Sequence, residues 1–393
     1  MVDSFGKLPA ELRFTIMSHA PDPKTLFNLS VAYPNLVPEL ERTAQVLIPG
    51  VISRSMSTEL EQLVNAILTV RANPSIVSQV YPYKSEFLEY YAIQADWSTN
   101  ILYNLEFLTN IQSAIEFFAQ GFIRKQMYSD KEQDSELPTR TEMERIHRAL
   151  WRIEFCCKLQ QIRAPSAHTR SRRLFSYLVT ITPWEAEELE CVYDYLAGFL
   201  LGDADMDQNL ESSDAEVSSR LRKLVYPTPT YHRNSRETSR VLSRGLVSLY
   251  KHSPLPNTDH QSRKLEDSQS WADSFIRQAF YEAALDREPI PVRLKKLIIG
   301  DVPKARWSFE DADASLPNVG WRFVHPFMPN KTSMQRRPFK YLHRWGYFIW
   351  DAKRFMSLGL LSGKFSNDDH MLLRVSNCPY LLKIAQENTV QVK

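Results

Sequence analysis

Glycine scarcity constrains this chain more than any other feature: 11 glycines stand against 23 prolines in 393 residues. The usual glycine share is about 7%. Glycine-rich phosphate loops, propeller blades and barrels with many tight turns all draw on its access to positive φ. A chain so poor in glycine is expected to be mainly helical, with its turns made by proline. Hydrophobic residues at 43% and charged residues at 24% are ordinary for a soluble globular protein. The length exceeds one average domain without requiring three. A net charge of +2 points to neither nucleic acid nor a membrane as a partner.

Cys156, Cys157, Cys191 and Cys378 form no Cys-x-x-Cys, and adjacent cysteines do not easily bridge each other. The pattern suits a reducing compartment, the cytosol or nucleus. Met-Val-Asp-Ser-Phe-Gly opens the chain without a basic region and apolar core, so no leader is expected. No apolar run approaches the length of a membrane span.

The segment from Leu8 to Leu36 reads as two short amphipathic helices around a proline-bracketed turn. Pro9 suits a first helical turn, because its missing N–H would have no partner there. Glu11 lies in the positive first turn. Leu8, Leu12 and Ile16 recur every four residues and form one stripe. Pro21 stops that helix. Asp22 can cap the next, with Pro23 at its first position. Leu26, Leu29 and Tyr33 make a second stripe, closed by Pro34. Helices this short cannot bury both stripes alone, so part of this surface needs a partner.

Leu8-Pro9, Glu11-Leu12, Ile16-Met17, Pro21-Asp22-Pro23, Leu26 and Leu29 together resemble an F-box, specifically the F-box-like modules of many filamentous-fungal proteins. The resemblance covers about an eighth of the chain. It implies a three-helix module over residues 1–48 that docks onto the small adaptor of Skp–cullin–F-box ubiquitin ligases. The implied adaptor-binding residues are Leu8, Pro9, Leu12, Ile16, Pro23, Leu26 and Leu29. The third helix would run roughly from Pro34 to Val46, with Leu36, Val37, Leu40 and Ala44 inside. One departure is Ala32-Tyr33-Pro34-Asn35-Leu36, where many F-boxes carry a Cys/Ser-Arg/Lys dipeptide and an aromatic residue.

Residues 49–393 read as an irregular helical domain with long loops. Helical patterns cover Thr58 to Val70, Glu86 to Ala95 and Ile101 to Gln120. Ile111, Ile115, Phe118 and Phe122 are spaced for one buried face. Thr141-x-x-Glu144 has the form of a capping box opening a helix to Leu159, with Ile146, Leu150, Ile153 and Cys157 inside. Thr182-Pro183-Trp184-Glu185 repeats the form and opens a helix to about Leu201, burying Trp184, Leu189, Val192, Tyr193, Leu196 and Phe199. Further helices are expected over Arg236 to Lys251, Ser270 to Leu285 and Tyr341 to Leu361. Residues 129–138, 163–173 and 287–327 read as loop or irregular chain, and 202–235 and 253–268 as loop or disordered. Gly202 to Ser219 holds six acidic residues and no basic one. No internal repeat recurs at a fixed period, which argues against leucine-rich, WD40 and ankyrin arrays.

Three further motifs are similar to the helical C-terminal regions that accompany fungal F-box-like modules. They are Arg148-Ala-Leu-Trp-Arg-Ile-Glu-Phe-Cys-Cys, Pro183-Trp184-Glu185 leading to Tyr193-Asp-Tyr195-Leu196, and Trp345-Gly346-Tyr347-Phe348-Ile349-Trp350-Asp351.

Catalytic signatures are missing from the sequence. There is no His-Glu-x-x-His, zinc spacing, Gly-x-Ser-x-Gly, Walker or dinucleotide fingerprint. No cofactor or metal is expected. Glu187, Glu188 and Glu190 read as a solvated helix face. Trp321-Arg-Phe-Val-His-Pro-Phe and Arg336-Arg337-Pro-Phe-Lys-Tyr-Leu-His-Arg-Trp345 mix rings with cations. Such mixtures serve as core rings flanked by exposed arginines, as protein-interface anchors or as single-strand channels; the near-neutral charge disfavours the last. Trp321, Arg336, Arg337 and Arg344 are the candidate target-binding residues. The expected function is non-enzymatic: a ligase subunit that binds the Skp-type adaptor and its cullin at one end and an unidentified protein substrate through the body. The alternative is a helical interaction or regulatory protein in which the F-box-like segment is structural only.

Overall fold

The computed structural model describes residues 5, 7–76, 87–93, 95–126, 137–162, 173–174, 176–178, 180–200, 242–252, 346, 348–351 and 353–354. Among the described residues the protein is mainly α-helical and contains no strand. The elements are α1 (Ala10–Ser18), α2 (Pro23–Ala32), a 3-10 turn (Pro34–Leu36), α3 (Val37–Ser55), α4 (Thr58–Ala72), α5 (Phe87–Ile93), α6 (Ile101–Gln126), α7 (Arg140–Gln161), α8 (Pro183–Leu200) and α9 (Leu246–His252).

Local chemistry explains most of the boundaries. Pro9 stands just before α1 rather than inside it, and its carbonyl accepts from the amides of Leu12 and Arg13 at 3.1 Å each. Asp22 caps α2, its Oδ1 accepting from Thr25 N at 2.6 Å. The 3-10 turn occupies the start of the expected third helix, and α3 then runs on to Ser55, beyond the expected end at Val46. Its apolar face explains the extension: Leu40, Ala44, Leu47, Ile48, Val51 and Ile52 are all buried, on one side of a helix that tolerates Pro49. Asp96 closes the turn before α6. Hydrogen bonds from Ser98 and Thr99 hold its carboxyl down at about 2, and Gln45 of α3 donates to it at 2.7 Å.

A capping box opens α7, two residues earlier than the Thr141/Glu144 pair suggested. Glu142 N donates to Thr139 Oγ1 at 3.1 Å, and Thr139 N donates to Glu142 Oε2 at 3.0 Å. Before α8 the glutamate half of the box forms at the expected residues: Thr182 donates to Glu185 Oε2 from both N (2.8 Å) and Oγ1 (2.7 Å). Two other helices differ from expectation. Gly245, at φ 93°, precedes α9 and breaks the helix expected over Arg236 to Lys251. Gly346, at φ 66°, accepts from Ile349 N at 2.7 Å, so the chain turns within the helix expected over Tyr341 to Leu361. Expectations for residues 163–172, 202–235, 253–268, 270–285 and 287–327 lie outside the described residues.

The chain divides into two compact units. The first comprises Met1–Phe118, Leu150–Thr180 and Ala204–Ala279, and the second Ala119–Ala149, Ile181–Asp203 and Phe280–Lys393. In the first unit, α3 contacts α1, α2 and α4, and α5 lies against α4. Side chains of α7 clasp the turn that leads into α9. Glu154 Oε2 accepts from Leu246 N at 2.7 Å, Cys157 Sγ donates to Leu242 O at 3.1 Å, and Gln161 Nε2 donates to Ser243 O at 3.0 Å. In the second unit, Phe122 meets Tyr195 edge to face with centroids 5.4 Å apart.

Candidate functional site

The N-terminal helices arrange their apolar residues in two directions. Met17 and Ala20 anchor α1 inward. Arg13 Nε pairs with Glu39 of α3 at 2.8 Å, and Arg54 of α3 donates to the carbonyl of Ser18. Held this way, α1 presents Leu12 at 51% and Ile16 at 42% exposure. Pro9 is exposed and Leu8 half-buried. On α2, Leu26 and Pro23 are buried and Leu29 is half-buried. The seven residues of the expected docking stripe thus separate: the α1 set faces outward, and Pro23 and Leu26 fill the core beneath. Val31, Tyr33 and Val46 add further exposed apolar surface. Tyr33 stacks on Phe5 with centroids 4.9 Å apart. Trp321, Arg336, Arg337 and Arg344 lie outside the described residues.

A second constellation was not legible as a site. In the second unit, α7 and α8 face each other with buried charge. Arg145 Nη1 donates to Asp351 Oδ1 at 2.5 Å and to the carbonyl of Ile349 at 3.0 Å, and its Nε lies 3.8 Å from Glu188 Oε1. Arg148 pairs with Glu188 at 2.6 Å and approaches Glu185 at 3.7 Å. Glu142 accepts from Arg354 Nε and Nη2 at 2.9 Å each, and from Asp351 N at 2.9 Å. Thr139 and Thr141 donate their hydroxyls to Asp351. Glu188 and Glu190 are buried and Glu187 half-buried, which corrects the expectation of a solvated glutamate face. The reason is opposite charge: the arginines of α7 supply partners that make burial of Glu188 tolerable.

The electrostatics follow from burial. Burial pushes Glu188 above the ordinary carboxylate value, against the pull of Arg148 and Arg145. Burial also acts to raise Asp351, but Arg145 and the two threonine hydroxyls outweigh it and hold the carboxyl below its ordinary value. The thiols of Cys156, Cys157 and Cys191 are raised by burial and stay protonated. Among the described residues no group of His, Cys, Asp and Glu is placed to hold a metal ion, and no helix is long and apolar enough to cross a membrane. The lattice joins residues from the three motifs of the C-terminal resemblance: Arg148, Glu185 with Glu188, and Asp351. Spacing along the chain gives no signal for this, because Arg145 and Asp351 are 206 positions apart.

No protein-family model, curated protein or solved structure matches this chain.

Proposed function

We propose that the chain is an F-box subunit that docks onto a Skp-type adaptor through α1 and carries a protein target on its helical body. The observation that supports this most is the outward stripe of Leu12 and Ile16, on a helix whose adjoining face is fixed by Met17 and the Arg13–Glu39 pair. An exposed apolar stripe on a helix anchored through its neighbouring face is a surface that suits a partner. In this reading Leu8, Pro9, Leu12 and Ile16 meet the adaptor, Leu29 lies at the edge, and Pro23 and Leu26 set the position of α2 from within. The chain itself performs no chemistry. It holds its target near the transfer machinery and raises the effective concentration there. Free Cys156, Cys157 and Cys191 suit action in the cytosol or nucleus.

A second reading, in which the segment serves only this chain's own fold, draws on the burial of Pro23 and Leu26. One experiment separates them. Wild-type protein is expected to co-purify adaptor and cullin, and Leu8→Ala with Pro9→Ala, or Leu12→Ala with Ile16→Ala, to lose both while staying folded. Wild-type protein that retains no adaptor at micromolar concentration overturns the docking reading.

A further inference from the structure

The first unit holds a cleft that adaptor docking leaves unused. Val70, Arg71 and Pro74 line it from the end of α4 and the turn beyond, and Lys158, Gln161 and Ile162 line it from the end of α7. Its volume is about 550 Å³, within the range of roughly 300–1,000 Å³ common for ligand clefts.

Two cations flank this cleft, and their partners leave it positive. The Arg71 guanidinium lies 3.8 Å from the centroid of the Tyr103 ring and 3.9 Å from that of Phe107. Its Nη1 donates to Asn104 Oδ1 at 3.2 Å. Tyr103 and Phe107 stand four apart on α6, so both rings share one face. Rings and an amide orient the guanidinium without neutralising it, and no carboxylate pairs with Arg71 among the described residues. Lys158 Nζ lies 5.3 Å from the Phe107 centroid and 3.0 Å from Glu154 Oε1. That carboxylate also takes the Leu246 amide at 2.7 Å. Of the two cations Glu154 therefore answers Lys158 alone, and the charge of Arg71 is left unneutralised. Beside them, exposed Pro74 supplies apolar surface, Val70 and Ile162 reach the cleft from the core, and Tyr103 stands 61% exposed against Arg71.

We infer that this cleft binds an acidic peptide segment of a partner protein. A carboxylate or phosphate of the segment pairs with Arg71 and Lys158, and a neighbouring apolar side chain rests on Pro74 at the mouth of the cleft. An arginine already held flat by two rings loses little freedom on meeting an anion. A peptide fits better than a nucleic acid, because two cations beside apolar surface in a chain of net charge +2 make no extended basic track. The inference rests on the reading of the helical body as the target-binding part and gives that target a chemical class.

Fluorescence anisotropy on the full chain tests it with four labelled probes: Leu-Glu-Glu-Leu-Glu-Leu, the same peptide with Gln for each Glu, the same with phosphoserine for each Glu, and an oligothymidylate of equal charge. The glutamate or phosphoserine peptide is expected to bind at least about tenfold tighter than the glutamine peptide. Whichever of the two binds better identifies the anionic group. Arg71→Gln and Lys158→Met are each expected to weaken that binding about tenfold. Tyr103→Ala, at an exposed ring, is expected to weaken it without disturbing the fold, as thermal melting checks. Equal binding of the acidic and glutamine peptides, no binding of either acidic peptide, undiminished binding by all three variants, or tighter binding of the oligonucleotide overturns the inference. Adaptor co-purification from the same wild-type preparation keeps the two readings apart. Adaptor retained with no peptide bound removes only the cleft, and peptide bound with no adaptor removes only the docking.

Discussion

Arg145 has 0% of its surface exposed, and taking a guanidinium out of water costs several kcal/mol unless its partners are in place. Asp351, Glu188 and the Ile349 carbonyl are those partners. Removing one member of such a buried pair costs about 3–5 kcal/mol, so Asp351→Asn is expected to lower the urea midpoint strongly. Its pH signature has a definite sign. The Asp351 carboxyl sits below its ordinary value of 3.8. Its contribution is therefore present above that value and lost as the pH falls through the lowered one. Asp351→Asn should flatten the acid limb of the stability curve. Glu188 acts oppositely, because burial raises it: its term is present below the ordinary value and lost as pH rises through the raised one. Close approach sets another single-residue constraint at Gly121, where an added Cβ would collide with Tyr195 Oη but lie 3.4 Å from Cζ. Gly121→Ala is expected to destabilise by about 1–3 kcal/mol. Tyr195→Phe in the same chain should restore much of the loss, because it removes the atom in collision; a denaturant double-mutant cycle reads this directly.

At the scale of the element, the start of α7 carries two overlapping Thr-x-x-Glu patterns, Thr139/Glu142 and Thr141/Glu144. Either satisfies the local rule for a capping box. The chain uses the first because Glu142 is also the buried partner of Arg354, whereas Glu144, among the described residues, pairs only with exposed Arg140 at 2.9 Å. Thr139 therefore both caps the helix and holds Asp351, whereas Thr141 holds Asp351 and meets Thr139 Oγ1 at 3.1 Å but caps nothing among the described residues. Thr139→Ala should cost more than Thr141→Ala by about 1 kcal/mol, the worth of an N-cap, as chemical denaturation would show. The same competition sets the length of α3. Its apolar period continues through Leu47, Ile48, Val51 and Ile52, and burial of that face carries the helix past Pro49, where proline removes one hydrogen bond.

At the scale of the whole molecule, the N-terminal helices separate stability from surface. Leu26 is 0% exposed, and Leu12 and Ile16 are 51% and 42% exposed. Leu26→Ala should cost about 2–5 kcal/mol by leaving a cavity. Leu12→Ala and Ile16→Ala should shift stability by only about 0.5 kcal/mol, as surface changes do. Thermal melts of the three variants check the contrast. A small stability cost combined with lost adaptor binding would identify α1 as a surface kept for a partner.

The helical class, the Asp22 cap, the Thr182/Glu185 pair and the buried faces of α4, α6 and α7 were all legible in the sequence. Each depends on residues within four or five positions of one another, where propensity, capping chemistry and a period near 3.6 act directly. What the sequence left open depended on distant partners. Glu188 reads as a solvent-facing glutamate until Arg148, 40 positions earlier, lies against it. Gly346 reads as one residue of a helix until the Phe122 ring lies 2.9 Å from where its Cβ would stand, at a φ that glycine adopts readily. Arg71 reads as a helix-end cation until Tyr103 and Phe107, some 30 positions on, stack against it. Local energies fixed which segments are helices. Only tertiary burial, which removes water from a charge and makes its partner decisive, determined which of their polar residues became core and which stayed at the surface.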